Sequence, residues 1–208
     1  MIVGAVVVLI VLMAGCGTAI ALLRNQPGTT SGAGIAPLPS PSPAVSASPI
    51  VSPAAPTGPT ASNDGETVPV PAGWAVDSKD PESITITDPS GTGSVTIGSG
   101  PSNPSQTAQQ NKDTLDKFFT GKYPDTRNCA NSQTTAGSLD GATGIFWQLC
   151  FTVVSGGQSF QAVAPIFAGA NADGSVYYVV LLLTPSNNLQ TFISESAPIL
   201  SGIQWKLK

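Results

Sequence analysis

Three sets of side chains in this chain have types and spacings that suit chemistry. They are the cysteines Cys16, Cys129 and Cys150, the acidic run Asp77, Asp80, Glu82 and Asp88 within DSKDPESITITD, and the pair Asp113 and Asp116. The acidic run offers hard oxygen ligands of the kind that hold Ca2+. Its spacing fits no EF-hand or repeat loop, and Pro81 marks an ordinary solvated hairpin turn, so Asp77, Asp80 and Glu82 are candidate metal ligands on donor type alone. Asp113 and Asp116 lie three apart and share a helix face, a spacing that paired-carboxylate acid–base work would use. Lys112 and Lys117 neighbour them, and a solvated helix surface is the expectation.

Other chemistry lacks its parts. The 208 residues include no histidine, which removes the usual base of a serine or cysteine nucleophile and the commonest metal ligand. A serine–lysine dyad is formally open, but there are six lysines and no Ser-x-x-Lys in the folded region. No glycine-rich loop precedes a helix in P-loop or dinucleotide-binding form, so no cofactor site is expected. The eight Lys and Arg are scattered and the net charge is −4, which leaves no basic face for nucleic acid. The three tryptophans, Trp74, Trp147 and Trp205, sit in strand-like runs and are expected as core anchors rather than a ligand groove. The chain therefore reads as a non-enzyme.

Cys129 and Cys150 flank SLDGAT, whose Asp140-Gly141 is a strong hairpin signal. Pairing about that turn places Cys129 opposite Cys150 to within a residue, close enough to bridge. A disulfide here implies an oxidising compartment and stabilises by roughly 3 kcal/mol in the chain-entropy model. Two buried free thiols are the alternative.

The elements that must position these residues fall into three segments. Residues 1–24 form a transmembrane anchor or a lipoprotein signal segment. Ile2 to Leu23 is 22 residues without a charge, and a helix of that length spans about 30 Å, the thickness of a bilayer core. Met13-Ala14-Gly15-Cys16 has the small-residue approach of a lipobox, which makes Cys16 a lipidation candidate. The apolar run continues past Cys16, however, and no basic region precedes it, which favours the spanning helix. Residues 25–66 are Pro/Ser/Ala-rich and expected to form a disordered stalk, because no apolar face can form among prolines every two to four residues. Residues 67–208 carry the folded, extracytoplasmic domain.

Within that domain TVPVPAGWAVD reads as a strand, and SITITDPSGTGSVTIGSG as two strands about Asp88-Pro89-Ser90-Gly91. A helix follows, with Asn103 as its cap, Pro104 at N1, Gln106 at N3, and Gly121 and Pro124 closing it. IFWQLCFTVV alternates as a two-faced strand, Gly156-Gly157 and Asp173-Gly174 mark further turns, and SVYYVVLLLT is apolar on both faces, as a covered central strand must be. A helix near Thr184-Pro185 buries Leu189, Phe192 and Ile193, with Pro198 expected to kink or split it, and IQWKL ends the chain as a strand. The fold class is α+β, an antiparallel meander with helices on both faces.

Two end-motifs, VPVPAGW (Val68 to Trp74) and ILSGIQW (Ile199 to Trp205), with the element order between them, resemble the PsbP-like superfamily. That group includes the extrinsic P subunit of photosystem II, a Ran-binding nuclear protein and bacterial lipoproteins of the LpqN type. The resemblance covers roughly residues 67 to 208 and implies a PsbP-like α/β/α sandwich. It implies no site residue, since the members do unrelated and mostly non-catalytic jobs. The expectation is a membrane-tethered extracytoplasmic module that binds or organises a protein, lipid or envelope component. Its contact with the membrane runs through the N-terminal segment, with a protein, small-molecule or lipid partner and no nucleic acid. A carboxylate- or metal-dependent hydrolase and an extracytoplasmic sensor domain are the alternatives.

Overall fold

Asp140 and Gly141 both take left-handed backbone angles, φ 47° and 87°, which is the geometry of a two-residue hairpin turn that matches strand twist. The turn joins β7 (Thr135–Leu139) to β8 (Ala142–Ser155). The computed structural model describes residues 58–155 and 158–208. Along the chain the earlier strands are β1 (Thr60–Ser62), β2 (Glu66–Pro69), β3 (Ala75–Asp80), β4 (Ser83–Thr87), β5 (Ser94–Pro101) and β6 (Arg127–Asn128). After β8 come β9 (Gln158–Ala170), β10 (Val176–Pro185) and β11 (Gln204–Trp205). The helices are α1 (Ala108–Lys122) and α2 (Leu189–Leu200).

Eight strands form one sheet in the order β3-β4-β5-β10-β9-β8-β6, with β7 also paired to β8. The described pairings are all antiparallel. A second, three-stranded sheet runs β1-β2-β11. Strand β10 occupies the centre of the large sheet. It is buried along its length up to Pro185, which is why its residues are apolar on both faces.

One face of that sheet packs on α1, where Leu115 and Phe119 meet Trp147, Phe151, Tyr177 and Leu181. The other face carries α2 and the small sheet, where Phe192, Ile199 and Val68 meet Ile86, Ile97 and Val180. The result is a three-layer α+β sandwich, as the alternation in IFWQLC and VYYVVL requires: odd and even positions fill two separate cores.

Four expectations are corrected. Ordered chain begins before residue 67, because Thr60–Ser62 pairs with Thr67–Pro69 and Glu66 itself starts β2. TVPVPAGWAVD is two strands in two sheets, broken at Pro71-Ala72-Gly73 where Trp74 N–H bonds Pro71 O. Helix α1 is capped by Thr107, not Asn103. Ser102 and Gln106 N–H groups bond the carbonyls of Ser175 and Gly174, which pins this stretch to the sheet end before the helix starts. Thr107 Oγ1 then accepts from Gln110 N–H, and Gln110 returns its side chain to Thr107 N–H, a complete capping box. Pro198 does not split α2 into two helices: it lies in the last turn and the helix ends two residues later. The anchor, the stalk up to residue 57 and the Gly156-Gly157 turn lie outside the described residues.

Candidate functional site

Helix α2 covers β5 and β10 but not the outer part of the large sheet, and there a cleft of about 450 Å³ opens. Its floor is Phe146 and Gln148 of β8, Pro165 and Phe167 of β9, and Val180 and Leu182 of β10. Ile193 and Leu200 of α2 form one wall, and Asn131, Ser132, Gln133 and Thr135, at the approach to β7, form the other. Strand alternation explains the floor: these residues are the even or odd members that face away from α1.

Pro165 contributes through what it lacks. The β9–β10 ladder runs from Tyr177 to Leu181, lapses opposite Pro165 and resumes at Thr184, because proline has no N–H to give. Its ring instead presents an apolar surface to the cleft. Phe146 lies against Phe167 with ring centroids 4.8 Å apart. Gly137 of β7 makes room for this arrangement, since a Cβ there would come within 2.9 Å of the Phe146 ring.

The polar wall is held by the disulfide. Cys129 and Cys150 are bonded, with Cα atoms 5.0 Å apart. The hairpin register does not continue to them. Arg127 stands opposite Cys150, four positions from where the β7–β8 pairing would place the strand, and residues 129–134 take up the difference as a loop. Within it Ser132 bonds Cys129 O through both its N–H and its hydroxyl. The bridge therefore ties the wall loop to the floor strand. No charged side chain lines the cleft, and its polar groups are amides and hydroxyls.

The acids singled out by type are dispersed to structural duties. Asp77 is exposed on β3. Asp80 accepts from Glu82 N–H and Ser83 Oγ at the β3–β4 turn, and Glu82 accepts from the Tyr177 hydroxyl at 3.0 Å. Asp88 closes the β4–β5 turn through Thr92 N–H, Gly93 N–H and Ser90 Oγ. Among the described residues no three acid, cysteine or histidine side chains gather in a way that could hold a metal. Asp113 bonds Gln109, while Asp116 accepts from Trp147 Nε1 at 2.9 Å and pairs with Lys112, so the two carboxylates serve different partners. Trp147 is a core residue, whereas Trp74 and Trp205 are half-buried against Phe192 and Tyr178.

One acid escaped sequence reasoning because it fell at the end of the presumed stalk. Glu66 is 0% exposed. Its Oε1 accepts from Asn63 Nδ2 at 2.7 Å, and its Oε2 is buried without a hydrogen-bond partner. Burial pushes its carboxyl up to about 8, with Asp80 adding to the rise and the Asn63 hydrogen bond and Lys206 opposing it. The signal available in the sequence was the tight-turn string Asn63-Asp64-Gly65 immediately before it.

No family model and no curated protein matches this chain. Solved structures do. A crystal structure from Bacteroides thetaiotaomicron is similar at 10% identity and TM-score 0.50 over 73% of this chain, which spans only 49% of that one. LpqN of Mycobacterium tuberculosis, described as involved in cell envelope biogenesis, is similar at 16% identity and TM-score 0.38, over 72% of this chain and 86% of that one. Cyanobacterial PsbP from Synechocystis is similar at 15% identity and TM-score 0.45, over 74% and 98%. Likeness at these identities concerns the fold alone. The antiparallel sheet flanked by helices that the resemblance implied is the fold observed. Among the described residues no helix is long and apolar enough to cross a membrane.

Proposed function

We propose that this chain is a membrane-tethered, extracytoplasmic binding module without catalytic activity, and that it holds an uncharged, largely apolar ligand or partner segment in the cleft beside α2. One observation carries the reading: a cleft of about 450 Å³ whose floor is aromatic and aliphatic apart from Gln148, with only amides and hydroxyls at its rim. Preformed clefts of this size suit ligands with an apolar body and a few hydrogen-bonding groups. Acid–base hydrolysis in the cleft would need a titratable group there, and none of its lining residues titrates. The tether rests on the uncharged run from Ile2 to Leu23, and the extracytoplasmic side on the Cys129–Cys150 disulfide.

The test is saturable binding of the neutral fluorophore N-phenyl-1-naphthylamine. One site per chain is expected, lost when Gln148→Trp fills the floor. Absence of saturable binding, or equal binding by the variant, would contradict the proposal.

A further inference from the structure

Glu66 sits where four elements meet. Asn63, in the β1–β2 turn, bonds the Glu66 carboxyl through Nδ2, and the same nitrogen donates to Asp80 O at the β3–β4 turn, 2.9 Å away. Asp64 N–H bonds Pro81 O in that same turn. Gly65 lies so close to β5 that a Cβ would fall 2.1 Å from Ser99 O. On the far side Glu66 is the register partner of Trp205 in β11, Lys206 N–H bonds Gly65 O at 2.8 Å, and the Lys206 ammonium bonds Asn63 O and Ser62 Oγ. The carboxyl is thus the buried centre of the joint between the small sheet and the β3–β5 end of the large one.

We propose that Glu66 is a proton-operated latch: while its carboxyl is neutral it holds β1, β2 and β11 against the large sheet, and opening this joint releases the proton to solvent.

The geometry sets the direction. A carboxylate at this position would be a charge with no exposure and one oxygen unbonded, a costly state. The groups that face it are Asp80 from the β3–β4 turn, which disfavours the charge, Lys206 beyond β11 and Asn63 in its own turn, which favour it, and the backbone of Ser99 in β5. Once the joint opens, the carboxyl meets water and ionises as an ordinary glutamate does. Each opening therefore gives up one proton over the range between the two pKa values, and the open state gains about tenfold per pH unit there. Residues 60–69 carry the first described strands of the domain, so the latch governs how firmly these strands hold to the large sheet.

The test is hydrogen exchange of the full-length chain, expressed as protection factors so that intrinsic rates cancel. Protection of residues 62–69 and 204–206 is expected to fall about tenfold per unit from pH 5.5 to 7.5 and to level off above pH 8 or so. β10, which opens only when the whole domain unfolds, should stay the better protected at every pH, and Glu66→Gln should flatten the profile. Asp80→Asn should move the levelling point to lower pH, which keeps the decision available if Glu66→Gln does not fold. A flat wild-type profile, the same slope in Glu66→Gln, or protection of residues 62–69 equal to that of β10 at every pH would each overturn the proposal.

Discussion

At the scale of single residues, the side chains that look reactive by type and those that the fold places under stress are different sets. Asp80, Glu82, Asp88 and Asp116 each accept hydrogen bonds that shape a turn or hold a neighbour. Glu66 is the exception, and its effect on stability has a definite sign. Its folded value is raised to about 8 from 4.5. The stability of the protonated form is therefore fully present below about pH 4.5 and is lost as pH rises toward 8, because the unfolded chain releases the proton first. Glu66→Gln, which stays neutral, should match wild type near pH 4.5. In urea unfolding it should become the more stable chain by on the order of a few kcal/mol at pH 8. Parallel pH profiles for the two chains would contradict this.

At the scale of elements, the Cys129–Cys150 bridge does two things at once. It closes a loop with a sequence separation of 21, and it fixes the wall of the cleft against β8. Cys129→Ser with Cys150→Ser should lower unfolding stability by roughly 3 kcal/mol on the chain-entropy account and weaken fluorophore binding in the cleft. Unchanged stability and binding would contradict both roles. The hairpins were readable in the sequence because their causes are local: Asp140-Gly141 has a two-residue turn to itself, and VYYVVLLL has no polar position to turn outward. The helix start was misplaced for a tertiary reason. Asn103-Pro104 makes a fair local cap, but hydrogen bonds to Gly174 and Ser175, some 70 residues on, hold that stretch to the sheet, and Thr107 is left to begin the helix.

At the scale of the whole molecule, an antiparallel sheet with a helix on one face and a helix plus a small sheet on the other leaves part of the second face uncovered, and that gap is the cleft. That an antiparallel sheet is covered on both faces was legible from periodicity and turns; the separate small sheet was not, because its strands β1, β2 and β11 come from the two ends of the domain. The cleft was not, because it depends on where α2 stops, and Phe146, Pro165 and Phe167 read as ordinary core until the missing cover is known. Glu66 was hidden for a similar reason: only the meeting of two sheets buries it.

The most direct measurement is a native mass spectrum of the protein purified from its own cells in detergent, followed by the denatured mass, for wild type and Gln148→Trp. A neutral co-purifying mass on the wild-type chain, lost on denaturation and absent from the variant, is the predicted result. The denatured wild-type chain should keep residues 1–15, as a helix anchor requires. A bare polypeptide in both cases, or a ligand retained by the filled cleft, would contradict the account.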